Sequence, residues 1–375
     1  MVKKLDELKV AIVADWLNSK AGAERVILLL AEMFPTADIY TSVFKAESFP
    51  ELKTRNVYTT YLQKSPLRFK HQLFAALRPK AFESINLDKY DLVISSSHAE
   101  AKGIITKPET LHVCYCHTPT RYLWSHYHEY LKRNQFGFFD SLFKSFMPSL
   151  IHNLRIWDRV AADRVDVFVA NSKNTQRRIK KYYERESELV YAPVDFGRFN
   201  RTQQTTGAYY LVVGRQIAYK RTDMVVEAIN QLGKSLKVIG TGPELDRLKS
   251  LTKSDKIEFL GSPSDEEVSK YFANCKALVF PQEEDFGIVP LEAMAAGKPV
   301  IAYGKGGALE TVIEGKTGVF FSEQTPTSLM EAIKRFESMN IRPEDCRERA
   351  KEFDNSIFKQ KMRAVIEEYL VKGVL

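Results

Sequence analysis

Two glutamates stand at the ends of Glu284-Asp-Phe-Gly-Ile-Val-Pro-Leu-Glu292, between the apolar run KALVF and an Ala-rich segment that closes at Gly297. Gly287 permits a tight backbone turn ahead of a helix, and the first N–H groups of a helix are free to meet an anion. Glu284 then lies on the loop before that helix and Glu292 about two turns into it. Carboxylates so placed accept hydrogen bonds from two sets of hydroxyls along an extended ligand. A surface pair beside a buried helix is the plainer reading of two glutamates, and the Phe-Gly turn with the Ala-rich helix argues against it. Upstream, Gly214-Arg215-Gln-Ile-Ala-Tyr-Lys220 follows the run YYLVV. A strand, a glycine and two cations before a helix form a diphosphate clamp, because fixed cations neutralise charge that builds on a leaving group. Surface charges on a strand-to-helix loop are the alternative.

The first half of the chain offers polar residues at strand ends. His117 closes LHVCYCH and opens HTPTRYLW, His98 ends YDLVISSSH, and Asp15 ends KVAIVAD. The carboxyl end of a parallel strand is where ligands of such sheets bind. Asp15 reads equally as an acceptor contact or a polar strand-end residue, and the role of His98 is open. After Asp15, Ala21-Gly22-Ala23 precede a helical pattern, so backbone N–H groups can approach a ligand there. Lys305-Gly306-Gly307 favours a similar close approach after KPVIAYG, whereas Gly240-Thr-Gly242 reads as a tight strand-to-helix turn. Aspartates spaced D-x-D and the H-E-x-x-H pattern are both absent, and His126 and His128 read as polar surface or packing residues, so no metal ligand set is expected. Cys114 and Cys116 fall two apart on one expected strand face, and no cysteine spacing matches a zinc site or a disulfide framework.

These residues need sheets to hold them. Apolar, β-branched runs alternate with helical patterns at 9–15, 90–97, 111–117 and 165–172, then at 209–215, 236–242, 257–261, 276–282 and 298–304. That rhythm predicts α/β architecture with buried parallel strands. The chain of 375 residues exceeds one ordinary core. Pro193–Gly207 reads as a linker, with domains at 1–195 and 205–353 and a last helix in 354–375 that crosses back to the first. Between Phe136 and Ala162 apolar residues recur at helical spacing, interrupted by Pro148; its second half reads as a helix on the sheet. Its first half, with Phe136, Phe138 and Phe139, reads as a lid or a lipid-facing surface.

The net charge is +8, and residues 1–195 carry 29 Lys+Arg against 22 Asp+Glu. Between Glu51 and Glu83 lie Lys53, Arg55, Lys64, Arg68, Lys70, Arg78 and Lys80 with no acid, interleaved with Tyr58, Tyr61, Leu62, Phe69, Leu73, Phe74 and Leu77. An amphipathic basic face over 53–80 suits an anionic membrane surface; a solvated helix face is the alternative. Nucleic acid is not expected, since no binding module accompanies the charge. The N-terminal apolar run is too short and too acidic for a signal peptide, and no stretch reaches the roughly 18 residues of a spanning helix. A cytoplasmic protein, peripheral at the inner membrane face, is the expectation.

The Glu284–Glu292 segment closely resembles the E-x7-E signature of the family 4 retaining glycosyltransferases, and the resemblance extends over nearly the whole chain. It implies the GT-B architecture, in which two Rossmann-like doubly wound parallel-sheet domains face each other across a cleft. It implies a nucleotide sugar donor held by Gly214, Arg215, Lys220, Glu284, Phe286, Gly287, Ile288 and Glu292. Glu284 would contact the donor sugar, Glu292 the ribose, Arg215 and Lys220 the diphosphate, and His117 the sugar near its reacting carbon, with no metal or other cofactor. Asp15, Gly22, Arg121, Tyr122 and Trp124 are the acceptor-side candidates. Gly22 departs from the family's usual Gly-Gly loop, since Ala21 precedes it. The segment HVCYCHTPTRYLWSHYHEY resembles bacterial transferases of surface polysaccharide assembly, often mannosyltransferases, which points to GDP-mannose and a lipid-linked glycan acceptor. A transferase acting on a soluble acceptor, and a non-catalytic nucleotide-sugar-binding protein of the same fold, are the alternatives.

Overall fold

All nine apolar runs form strands in the computed structural model, which describes residues 5–20, 22–69, 74–125, 127–128, 140–200 and 207–373. The first sheet contains β1 (Val10–Ala14), β2 (Asp38–Thr41), β3 (Val57–Thr59), β4 (Leu92–Ser97), β5 (Leu111–Cys116), β6 (Val167–Ala170) and β7 (Glu188–Leu189). Its strands are parallel and follow the order 3-2-1-4-5-6-7. The second sheet contains β8 (Tyr209–Val213), β9 (Leu236–Ile239), β10 (Ile257–Gly261), β11 (Cys275–Phe280), β12 (Val300–Tyr303) and β13 (Gly318–Phe321), also parallel, in the order 10-9-8-11-12-13. The continuous apolar runs are explained by burial: every residue of β1, β4, β5, β6 and β12 is buried.

Two compact units result, one of Met1–Tyr191 with Lys359–Leu375 and the other of Ala192–Phe358. Helix Asn355–Lys372 begins in the second, and from Lys359 onward its residues belong with the first. There Lys359 pairs with Glu32, and the Tyr369 hydroxyl donates to Glu188. In the second unit, helices Thr222–Leu232 and Pro326–Glu337 pack Met224, Val225, Ile229, Leu329 and Ile333 against Tyr210, Val212, Ile301 and Val319. The ends of several helices are set by caps. Ser264 and Glu267 form a capping box, and the Thr325 and Ser172 side chains accept from Ser328 and Thr175 N–H groups.

Three expectations are corrected. Helix Asp140–Asp163 runs through Pro148 rather than stopping there; Phe136, Phe138 and Phe139 lie outside the described residues. Within the expected linker, Phe196–Asn200 is helical: Phe199 is buried edge-on to Phe272, and Arg198 bonds Ser269 and Asp265. The basic segment is not an amphipathic helix but β3, short turns and the helix Arg78–Glu83. Two of its cations serve the interior. Arg55 donates to the carbonyls of Ala31, Phe34 and Pro35 at the end of helix Gly22–Met33. Arg78 is buried and pairs with Glu100. Lys53, Lys64 and Lys80 remain exposed, as do Tyr58, Tyr61, Leu67, Phe69 and Leu77.

Candidate functional site

Each sheet reverses its strand order once, between β1 and β4 in the first unit and between β8 and β11 in the second. A doubly wound sheet leaves a crevice outside the carboxyl ends of its strands at that reversal. In the second unit the loops that follow β8 and β11 carry Gly214–Lys220 and Glu284. The structure joins them: Lys220 Nζ forms an ion pair with Glu284 Oε1, with both side chains about one-sixth exposed at 15% and 17%. Gln282 Nε2 donates to the same oxygen at 3.3 Å.

The loops are braced from beneath. Lys220 ends a 3-10 turn, Ala218–Lys220, and the next residue, Arg221, takes the left-handed conformation (φ 52°, ψ 34°) that non-glycine residues rarely adopt. Arg221 donates to the carbonyl of Gln324, whose side chain donates to the carbonyl of Pro281 just past β11. Gln216 is buried, and its Nε2 donates to the carbonyls of Gly214 and Ile239, tying the loops after β8 and β9 together. Gly287 starts helix Ile288–Ala295 at φ 86°, which a side chain resists. Gly307 donates its N–H to the Glu284 carbonyl at 2.8 Å, and a Cβ there would lie 2.2 Å from the Phe286 backbone. Loop-on-loop packing therefore requires the glycine pair after β12.

Of the other donor candidates, Arg215 is exposed and without a partner among the described residues. Glu292 is buried in the second turn of its helix, Phe286 is buried against Phe353 with ring centroids 5.8 Å apart, and Ile288 is half-buried. The structure thus brings Lys220, Glu284 and Gly214 together directly. A Cβ on Gly214 would sit 3.8 Å from Lys220 Nζ.

In the first unit Asp15, His98 and His117 occupy the loops after β1, β4 and β5. Asp15 is 1% exposed, and its carboxylate accepts the N–H groups of His98 (2.7 Å), Ala99 (3.0 Å) and Ala101 (2.7 Å). It shapes the loop after β4 instead of facing a ligand. His117 Nε2 shares a 2.8 Å hydrogen bond with Ser96 Oγ, which spacing alone did not reveal. Tyr122 and Trp124 spend their polar atoms internally. The Tyr122 hydroxyl donates to Glu100, burial pushing its phenol well above the ordinary range. Trp124 Nε1 donates to Asp158 at 2.8 Å. What these two offer outward is ring surface. Arg121 is half-buried, Gly22 opens helix Gly22–Met33, and Ala21 and His126 lie outside the described residues.

Behind this loop lies a polar hub missed by the sequence reading. Asp158, fully buried, accepts from Lys102 Nζ (2.5 Å), Thr120 Oγ1 (2.7 Å), Trp124 Nε1 and Tyr183 OH (2.8 Å). Burial alone would weaken the Lys102 charge; Asp158 more than offsets it. The four cysteines are buried and form no disulfide, and burial pushes the thiols of Cys114, Cys275 and Cys346 up to about 12, so these three are not nucleophiles at neutral pH.

Two family models match the chain. One, described as Glycosyltransferase Family 4, covers residues 21–198; the other, Glycosyl transferases group 1, covers 195–353. An uncharacterised glycosyltransferase of Methanocaldococcus jannaschii is 29% identical over 184 residues, 48% of this chain and 52% of that protein. The GDP-mannose-dependent alpha-(1-6)-phosphatidylinositol monomannoside mannosyltransferase of Mycobacterium tuberculosis is 30% identical over 205 residues, 47% and 53%. The human alpha-1,3/1,6-mannosyltransferase ALG2 is 31% identical over 192 residues, 50% and 42%. The matches thus span about half the length of these curated relatives or less. Among solved structures, Anabaena HepE in complex with UDP and glucose gives a TM-score of 0.70 at 17% identity, over 96% of this chain and 100% of that one. Sucrose-phosphate synthase from Thermosynechococcus elongatus gives 0.73 at 16%, over 97% and 100%. At such identities the likeness is one of fold, the GT-B fold of two Rossmann-like parallel-sheet units.

Proposed function

Because the chain belongs to the family 4 glycosyltransferases, we propose that it is a retaining glycosyltransferase moving a hexosyl group, mannose first, from a nucleotide diphosphate sugar to a hydroxyl of a lipid-linked glycan in surface polysaccharide assembly. The observation that carries this reading is the Lys220–Glu284 pair at the strand reversal of the second unit. A preorganised cation and carboxylate, already partly withdrawn from water, exchange one another for a ligand carrying both a diphosphate and hydroxyls. Lys220 and Arg215 hold the diphosphate, Glu284 the sugar hydroxyls, and Glu292 the ribose. Phe286, Gly287 and Ile288 shape the loop between the two carboxylates, and His117, hydrogen-bonded to Ser96, is the proposed contact to the sugar near its reacting carbon. In the transfer itself the bond from the anomeric carbon to the phosphate oxygen breaks, and the acceptor oxygen bonds that carbon from the same face. The acceptor's proton passes to the departing phosphate. Side-chain cations carry the leaving-group charge, so no metal is required.

GDP-mannose is favoured because the mycobacterial relative is named as GDP-mannose-dependent and the human one as a mannosyltransferase. Among the described residues no helix is long and apolar enough to cross a membrane. We propose a peripheral contact with the inner membrane face through exposed Lys53, Lys64 and Lys80 among exposed Tyr61, Leu67, Phe69 and Leu77. A thermal-shift panel of nucleotide sugars tests the donor: GDP-mannose is expected to raise the melting temperature most, by mass action. Turnover should survive EDTA and give the α-linked product by NMR. An inverted anomer, or loss of activity that Mg²⁺ restores, contradicts the mechanism. Sedimentation with anionic but not neutral vesicles is expected of the membrane contact.

A further inference from the structure

His98 has no part in the mechanism above, yet it stands at the strand reversal of the first sheet. It follows β4, which pairs with β1 where the order turns, the place at which a doubly wound sheet receives its ligand. We propose that His98 is the residue through which the first unit holds a hydroxyl of the acceptor sugar, its ring positioned by Asp15 and Trp16. This rests on the reading of the chain as a glycosyltransferase.

The surroundings of the imidazole are built from three loops. Asp15 Oδ2, besides accepting the N–H groups of His98 and Ala99, lies 3.1 Å from His98 Nδ1. Nδ1 is buried and off the line a hydrogen bond needs, so the contact is electrostatic. A carboxylate beside Nδ1 favours the proton on that nitrogen, which leaves Nε2 as a hydrogen-bond acceptor. The ring is 29% exposed while Asp15 is fully covered, so a ligand meets the imidazole and not the carboxylate. Trp16 packs edge-to-face on His98 with centroids 4.5 Å apart. Arg78 stacks on the Trp16 ring at 5.1 Å and is itself held by Glu100. His117, from the adjacent strand, has its ring centroid 6.2 Å away.

This is an environment for a neutral ligand. The nearby carboxylate is spent on backbone N–H groups, and the nearby guanidinium is paired. What remains outward is part of an imidazole that accepts a hydrogen bond, beside a half-buried indole, and a hydroxyl-bearing ring such as a sugar meets both.

The test is an NMR titration of the full chain labelled with 15N and 13C at histidine, using methyl α-D-mannopyranoside as the probe. His98→Gln identifies the His98 signals by their loss. The expected result is an Nδ1-protonated His98 whose signals move with added glycoside, while those of buried His112 do not. His98→Ala should weaken glycoside binding about tenfold, the loss of one hydrogen bond, and His98→Gln should weaken it less. Both variants keep the parent melting temperature and its shift with GDP-mannose. His98 signals that stay fixed throughout the titration overturn the proposal, whether or not other signals move. A parent chain that binds no nucleotide sugar strikes the transferase reading instead, and leaves the glycoside result to be read by itself.

Discussion

The two strand reversals have the same topology and opposite chemistry. In the second unit, opposite charges pair in a half-buried position, Lys220 15% and Glu284 17% exposed, still within reach of a ligand. In the first unit charge is withdrawn: Asp15 is covered and satisfied by backbone, Arg78 and Glu100 pair in the interior, and a partly exposed imidazole remains beside a half-buried indole. A parallel sheet supplies the position, and the residues on its loops decide the kind of ligand. Half-buried paired charges suit a pyrophosphate bearing a sugar, and a neutral polar patch suits a hydroxyl.

The sharpest way to break this comparison is to remove charge where it is held to act. Lys220→Ala is expected to lower turnover about 100- to 1000-fold, the effect of losing one preorganised group on developing charge, measured as GDP release from GDP-mannose. A loss under tenfold would make the charge pair incidental. The next effect belongs to the first unit and to stability. Asp158→Ala leaves Lys102 buried without its carboxylate and is expected to cost about 3–5 kcal/mol, read as a fall in melting temperature with hydrogen exchange rising in Met1–Tyr191. Exchange rising equally in both units would show that the hub is not local.

Smaller effects sharpen the contrast. Gly307→Ala forces a Cβ into the Phe286 backbone, and overpacking of this kind costs about 1–3 kcal/mol. It should weaken donor binding by displacing Glu284 while leaving the His98 signals in place. The smallest effect is in acid. His112 is fully buried; burial lowers its pKa to about 4, and the nearby Arg185 charge adds to this. Its folded value lies below the roughly 6.5 of a free imidazole, so the unfolded state binds more protons between the two. The first unit therefore loses stability as pH falls from about 6.5. In the second unit burial alone would raise Glu337, but hydrogen bonds from Lys234, Lys276 and Tyr210 outweigh it and hold the carboxyl at about 2. Its contribution is intact above the free value of about 4.3 and fades only below it. Hydrogen exchange at pH 5 should show the first unit loosened and the second unchanged; the reverse order would contradict both assignments.

Most of the architecture was legible because buried parallel strands leave apolar runs such as KVAIVAD and KALVF. The strands that escaped notice had little to show. β3 is half-exposed or exposed, β7 has two residues, and β2 and β13 are four-residue segments without a long apolar run. Charge was read less well than hydrophobicity, because a sequence does not say where a side chain ends. Arg55 and Arg78 count as part of a basic surface in the chain and are internal caps and pairs in the fold. The same limit applies to Asp15, a ligand contact by position and a backbone brace by geometry. The Lys220–Glu284 convergence, by contrast, follows from the strand order: loops 64 residues apart meet because β8 and β11 are neighbours.

The central claim is that this convergence is the seat of a nucleotide diphosphate sugar. Isothermal titration of GDP-mannose into the parent chain, Lys220→Ala and Glu284→Ala tests it most directly. Binding by the parent that weakens at least tenfold in each variant is the predicted result; equal affinity in all three would contradict it.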